Sequence, residues 1–468
     1  MRGSERKYLL CIVVSFALIF CLYGQPTENI DELKPAQLLR FGKNYEKAGD
    51  IYGAIEFYSR YYMIKMEKIE VAHKLAKLYK EARNYEKARD YYLRCYMSDP
   101  RYIECLYYHA QMLKATGDYD KALEFFTIFK KRYRGRELKK VVDSDIAGCI
   151  NAKKIKADSL NVTLTHLDET INKAHIEVSP VLMDENTLLF SALREDKVVF
   201  YEDKKDKPVR KFYIAKKDPS GKWAFRGELQ SPVNSDRFDT GNGAFSPDGK
   251  KFFFTRCRTD WQNKVHCSVY MSEVNGNVFS EPVDVTAVND PVYTTTQPTV
   301  GLESRHNREV LYFISDRPGG KGGYDIWYSV YNKRKETFER PRNAGIKINT
   351  EGNELAPYYD PSTRNMYFSS DGWPGLGGKD IFESTGELTK WLKPVNAGFP
   401  VNSSYDEIYY YISKNKTDAF FTSNRPGTIP LQNPTCCDDL YNVLYEDKII
   451  LDMMGRVYEI TGDSLPES

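Results

Sequence analysis

Histidine, tryptophan and cysteine are scarce in this chain, at 6, 5 and 9 of 468 residues. The histidines are His73, His109, His166, His175, His266 and His306, and none stands with a serine or cysteine in a recognisable catalytic motif. A G-x-S-x-G elbow is missing, which argues against a propeller-gated serine peptidase or a related hydrolase. No G-x-x-x-x-G-K-[ST] stretch leads into a helix, so a phosphate-binding loop of that type is excluded. C-x-x-C pairs are absent. Cys436 and Cys437 are adjacent with no histidine nearby, which is not the spacing of a zinc site. Charge of one sign is lacking too: the net charge is +2, and no whole-chain argument favours nucleic acid. The basic run "KKRYRGRELKK" (130–140) reads more simply as a solvated helix end than as a nucleic-acid patch. These absences lead to the expectation of a protein that is not an enzyme and needs no cofactor or metal.

Long apolar runs are equally rare. The one present is Tyr8–Leu22, preceded by Arg2, Arg6 and Lys7. At 15 residues it is short for a membrane span and suited to a signal peptide. The expectation is a leader over 1–24, with lipidation at Cys21 as the alternative that bulky Phe20 disfavours, and an exported, periplasmic chain. In such an oxidising compartment Cys257 and Cys267, which flank a hairpin-like stretch, are either a cross-strand disulfide or two buried thiols.

Tyrosine and phenylalanine are abundant, at 35 and 24, and suit strands. A chain of this length divides into two or three domains. The first third repeats. "GDIYGAIEFYSRYY" from Gly49, "RNYEKARDYYLRCYMSDP" from Arg83 and "GDYDKALEFFTIF" from Gly117 align without gaps. Ala54, Ala88 and Ala122 are spaced by 34, as are Tyr58, Tyr92 and Phe126. Small residues let paired helices approach, aromatics fill between them, and Pro100 ends a helix. The pattern resembles the tetratricopeptide repeat, most strongly in the middle copy. It predicts an array over 35–155 including a capping helix, with a concave surface for partner segments.

The remainder repeats at longer intervals. "SDRPGGKGGYDIW" (315–327) aligns without a gap to "SDGWPGLGGKDIF" (370–382). Asp316 matches Asp371, Gly322 and Gly323 match Gly377 and Gly378, and Asp325 matches Asp380. Apolar strands flank each copy. Looser copies centre on "AFSPDGKKFFFTR" (244–256), "AFFTSNRPG" (419–427), which leads to "DDLYNV" with Asp439, and "NTLLFSALRED" (186–196). The connectors "PRNAGIKINTEGNE" (341–354) and "PVNAGFPVNSSYDE" (394–407) repeat as well, and an aromatic (Phe279, Phe338 or Trp391) stands three residues before a proline. Short antiparallel strands at this period are the signature of a β-propeller. The expected fold is α+β multidomain: an α-solenoid, then an all-β propeller over 160–453. The copies make five units; six blades are expected, with five or seven the alternatives, the sixth composite from "SLNVTLTHL" (159–167) and "KIILDMM" (448–454). The glycine-rich hairpins read as structural: glycines supply the turn, and Asp316, Asp325, Asp371, Asp380 and Asp439 bind backbone amides rather than a metal.

The blades resemble WD40-like repeats of the Tol-B type, carried by "SPDG" (246–249) and "SDR" (315–317). The order of leader, tetratricopeptide repeats and propeller resembles a family of Bacteroidota cell-envelope proteins, and "CCDDLY" (436–441) is similar to their last blade. In that family a regulatory-like β-domain and an OmpA-type domain follow, and one class serves type IX secretion. "MGRVYEITGDSLPE" (454–467) resembles the opening of the regulatory-like domain, so 454–468 is expected to be its truncated start or a tail, and peptidoglycan binding by an OmpA-type domain is not carried over. The resemblance implies a scaffold that binds envelope proteins through its array and a propeller face, with outer-membrane association and no nucleic acid. A glycan- or peptide-binding propeller, or a propeller hydrolase, are the alternatives.

Overall fold

The computed structural model describes residues 30–194, 208–260 and 264–446. The leader, Cys21, the strand expected at 448–454 and the tail from 454 lie outside the described residues. Two compact units divide within the fifth helix, Met1–Met112 and Leu113–Ser468.

Seven α-helices are described: α1 (Pro35–Ala48), α2 (Ile51–Ile64), α3 (Ile69–Glu81), α4 (Tyr85–Ser98), α5 (Ile103–Ala115), α6 (Tyr119–Arg132) and α7 (Lys139–Ala157). The 34-residue period has a local cause. Gly49, Arg83 and Gly117 each take a left-handed backbone, with φ of 79°, 58° and 80°. The next residue then caps α2, α4 or α6. Asp50, Asn84 and Asp118 accept hydrogen bonds from the N–H groups of Gly53, Lys87 and Lys121 at 2.8, 3.1 and 3.3 Å, satisfying amides that the first turn leaves orphaned. Ala54, Ala88 and Ala122 are fully buried in these helices, and so are Tyr58, Tyr92 and Phe126.

The propeller has five sheets among the described residues, not the six expected. Strand β1 (Val162–His166) follows α7. The first sheet is β2 (Ile176–Asp184), β3 (Thr187–Leu193), β4 (Lys211–Lys217) and β5 (Trp223–Glu228). The second is β6 (Asp239–Phe245), β7 (Lys251–Thr259) and β8 (Val265–Asn275), edged by β9 (Val278–Phe279) and β10 (Val283–Asp284). The third is β11 (Thr295–Leu302), β12 (Glu309–Ser315) and β13 (Asp325–Asn332), edged by β14 (Thr337–Phe338) and β15 (Arg342–Asn343). The fourth is β16 (Glu354–Asp360), β17 (Asn365–Ser370) and β18 (Asp380–Glu387), edged by β19 (Lys390–Trp391) and β20 (Val395–Asn396). The fifth is β21 (Glu407–Ile412), β22 (Asp418–Ser423), β23 (Asp439–Tyr445) and, as its outer strand, β1. Here lies the reason for the missing sixth blade. β1 pairs directly with β23, Val162 opposite Tyr445 and His166 opposite Tyr441. It completes the fifth sheet and founds no other. The first strands then touch in a ring, β2–β6–β11–β16–β21 and back to β2. Phe279, Phe338 and Trp391 are buried on the short edge strands.

One device recurs in all five blades. An asparagine in each connector clamps a residue of the third strand, accepting from its N–H and donating to its C=O. Asn234 clamps Phe212 at 2.8 and 3.0 Å, Asn289 clamps Val269 at 2.8 and 2.8 Å, and Asn349 clamps Ile326 at 2.9 and 3.0 Å. Asn402 clamps Ile381 at 2.7 and 2.8 Å, and Asn172 clamps Leu440 at 2.8 and 3.1 Å. The carbonyl just before each asparagine is held by a cationic or indole N–H from the end of the second strand. Arg194, Arg256, Arg317 and Arg425 bind the carbonyls of Ile171, Val233, Val288 and Val401. In the fourth blade Trp373 Nε1 takes this task, at 2.9 Å from Ile348 O. These bonds satisfy buried main-chain groups that the connector would otherwise strand.

Candidate functional site

Two faces of the propeller present chemistry. On the first lie the glycine-rich hairpins and the connectors. Asp325 accepts from the N–H groups of Lys321 (2.5 Å) and Gly322 (3.0 Å) and from Asn343 Nδ2 (2.7 Å). Asp380 accepts from Leu376 and Gly377 N–H at 2.8 and 2.9 Å. Asp316 accepts from Thr294 N–H, and Asp371 from Asn353 N–H. Gly322 and Gly377 pass so near the next connector that a Cβ would sit 1.9 Å from Gly352 O or 2.1 Å from Tyr405 O. Gly323 and Gly378 likewise face Asn353 and Asp406. In each hairpin the second aspartate holds the turn, and the first binds the main chain that leads into the blade's innermost strand.

Helix α7 covers the fourth blade's hairpin. Ser144 Oγ donates to Gly372 O at 2.7 Å, and a Cβ on Gly148 would meet Gly375 O at 2.4 Å. Lys140 pairs with Glu351 on the neighbouring connector. Beneath α7, Lys114 is buried in an ion pair with Asp145 at 2.9 Å. Burial works to lower the Lys114 pKa, but the carboxylates of Asp145 and Asp380 outweigh it and hold the ammonium above its usual value. Burial pushes Asp380 up to about 6, against the pull of Lys114 and in concert with Glu407.

The closing seam differs from its neighbours at matched positions. Glu354 accepts from the Thr350 and Ser370 hydroxyls, and Glu407 from those of Ser403 and Ser423. Glu177 stands opposite Ala192 in place of such a serine and follows Lys173 in place of the other. Its Oε2 accepts from Lys173 N–H, while its buried Oε1 is unpaired. Burial pushes both Glu177 and Glu354 up to about 8. His166, in β1, takes the register position held by Asn343 and Asn396 and binds Asp439 at 2.6 Å. Burial raises Asp439, and the His166 bond works against it.

The second face opens on the axis. The innermost strands all bulge at one residue in the left-handed region: Ser179, Asn242, Gln297, Ala356 and Tyr409, with φ between 47° and 60°. Such bulges break the two-residue alternation and turn the strand. The Gln297 side chain links the third blade to the fifth and fourth, donating to Tyr409 OH at 3.0 Å and accepting from Ala356 N–H at 2.6 Å. Beyond it lies a cavity of about 420 Å³ lined by all five blades. Asp360 is the one carboxylate among the described lining residues. Burial works to raise it, but Lys416, Thr363 and Ser362 bind it and hold it below the usual value. Sequence reasoning missed this cavity. Signals existed: Asn242-Gly243 favours a left-handed residue, and Pro180, Pro298 and Pro357 each follow a bulge.

The first unit carries a groove of about 470 Å³ lined by charges of both signs, Glu46, Glu70, Lys74, Lys77 and Glu81, beside His73. Cys257 and Cys267 are joined across β7 and β8, and Cys436 is joined to Cys437. Cys95, Cys105 and Cys149 are free and buried. Among the described residues no cluster of three or more His, Cys, Asp or Glu is placed to hold a metal. No described helix is long and apolar enough to cross a membrane.

Residues 104–135, covering α5 and α6, match the tetratricopeptide repeat. The chain therefore carries a tetratricopeptide-like helical array followed by a propeller. No curated protein matches it in sequence. Among solved structures it is similar to a protein of unknown function from Dyadobacter fermentans (13% identity, 57% of this chain and 75% of that one, TM-score 0.37). It is similar too to a xylan β-1,4-xylosidase from Bacillus halodurans (10%, 64% and 61%, 0.40) and to an exo-β-1,3-galactanase from Clostridium thermocellum (11%, 59% and 61%, 0.37). Likeness this low carries no argument about activity.

Proposed function

We propose that the chain is a non-enzymatic scaffold of the cell envelope, exported to the periplasm, that binds proteins through its array and a propeller face. The array carries the reading. Repeat units of this kind and propellers commonly mediate protein–protein contacts, and the groove offers Lys74, Lys77, Glu70 and Glu81 to an extended segment of mixed charge. The Cys257–Cys267 bond and the basic, apolar start support export. A role in envelope assembly or type IX-like secretion, with outer-membrane association, is what the resemblance of domain order adds. The test is capture from envelope extracts by the full chain against a Lys74→Glu/Lys77→Glu variant. The scaffold retains a defined protein that the variant loses at least about tenfold. Retention of the same proteins by both, or of none, overturns the reading.

A further inference from the structure

The fifth blade departs from the hairpin pattern at one point. Asp325, Asp380 and Asp439 lie opposite Ser315, Ser370 and Ser423 in the same register. Counted back from them, the pairs Gly322-Gly323 and Gly377-Gly378 correspond to Cys436-Cys437. Where the glycines pass the next connector with no space for a Cβ, the fifth blade fits two side chains and joins them. That bond is no staple. A disulfide stabilises mainly through the loop it closes, and one between neighbours closes almost none. Cys257 and Cys267 are the contrast, 10 residues apart and opposite each other across β7 and β8. Cys437 is buried against the connector of Asn172, its sulfur 3.8 Å from Ala174 O. Cys436 is partly exposed, and Leu431 N–H donates to its sulfur at 3.1 Å. A disulfide sulfur has no hydrogen to give to Ala174 O, whereas a thiol has one. The Leu431 N–H suits a thiolate at Cys436, because ionised acceptors take the stronger hydrogen bonds. The fold therefore holds partners for the reduced pair as well as for the bond.

We propose that Cys436–Cys437 is a redox-exchange site that accepts two electrons from a dithiol. A thiolate of the donor attacks Cys436 Sγ, on the partly exposed residue, and forms a mixed disulfide as the bond between the cysteines breaks. Cys437 leaves, takes the proton that the attacking thiol gave up, and donates it in a hydrogen bond to Ala174 O. The donor's second thiol then attacks the donor sulfur of the mixed disulfide and releases Cys436, which takes the second proton. Two electrons and two protons move in all. The donor ends as a disulfide and the pair as two thiols. Cys257–Cys267 is not such a site, because its ladder keeps the two sulfurs facing each other after reduction and favours the bond again. The proposal is independent of partner capture by the array.

The experiment equilibrates the full chain in graded mixtures of reduced and oxidised dithiothreitol. Each sample is quenched in acid, alkylated with N-ethylmaleimide in denaturant and read peptide by peptide by mass spectrometry. Cys436 and Cys437 reach half-labelling at a reduced-to-oxidised ratio at least about tenfold below that for Cys257 and Cys267. This arm needs no substitution. A second arm presents glutathione disulfide to single variants. Cys437→Ser, which keeps Cys436, takes up one glutathione at least about tenfold faster than Cys436→Ser, whose remaining sulfur is buried. A smaller separation of the two disulfides, labelling of Cys436 and Cys437 in oxidised dithiothreitol alone, or equal uptake by the two variants overturns the assignment.

Discussion

The hairpins 315–327 and 370–382 share their aspartates, their glycine pair and their strand register, yet they live in different surroundings. In the third blade the tip is exposed at Gly319, Gly320 and Lys321. In the fourth, Gly375, Leu376 and Gly377 are buried under α7. The aligned differences follow from that cover. Lys321 becomes Leu376, an apolar group for a helix to sit on. Arg317 becomes Gly372, whose Cβ would lie 1.9 Å from Thr350 Oγ1 and whose carbonyl receives Ser144. The connector bond that Arg317 supplies passes to Trp373. In a repeat protein, what copies share records the fold, and what they do not share records the docking.

The comparison can be broken most sharply at Lys114. Lys114→Met strands Asp145 beside Asp380 in the interior and is expected to cost about 4 kcal/mol by denaturant unfolding. Lys321→Met, on the open hairpin, stays within about 0.5 kcal/mol. Exchanging the aligned residues comes next. Leu376→Lys buries an ammonium under α7 at a cost of about 3 kcal/mol, whereas Lys321→Leu is close to neutral. Gly148→Ala drives a methyl against Gly375 O and lowers stability by about 2 kcal/mol without touching the third blade. The smallest effect is in the pH profile. Asp380 is raised to about 6 when folded, so the folded state binds the extra proton and its contribution falls as pH rises from about 4 to 6. Asp380→Asn flattens that part of the stability curve by on the order of 1 kcal/mol, and an unchanged slope would contradict the assignment.

Much of the architecture was legible in the chain. The 34-residue spacing rests on Gly49, Arg83 and Gly117 with their caps, all local features that sequence displays directly. The second strand of each blade showed as an apolar run because most of its residues are buried on both faces. The innermost strands did not, since a left-handed bulge at Ser179, Asn242, Gln297, Ala356 or Tyr409 interrupts their alternation. The axial cavity was missed with them. The connector repeats were visible at Asn349 and Asn402, but the clamp they form joins residues more than twenty apart and exists only after folding. Counting blades failed for a related reason. "SLNVTLTHL" has the pattern of a strand, and nothing local tells it that its partner is β23.

That pairing has a mechanical consequence. Because β1 runs antiparallel to β23, the residue that enters the ladder from α7, Val162, lies opposite Tyr445, by which the chain leaves it. Tension applied between Val162 and whatever follows residue 446 therefore bears on one end of the ladder. It would part the strands pair by pair, as a zip opens, instead of shearing all the bonds together.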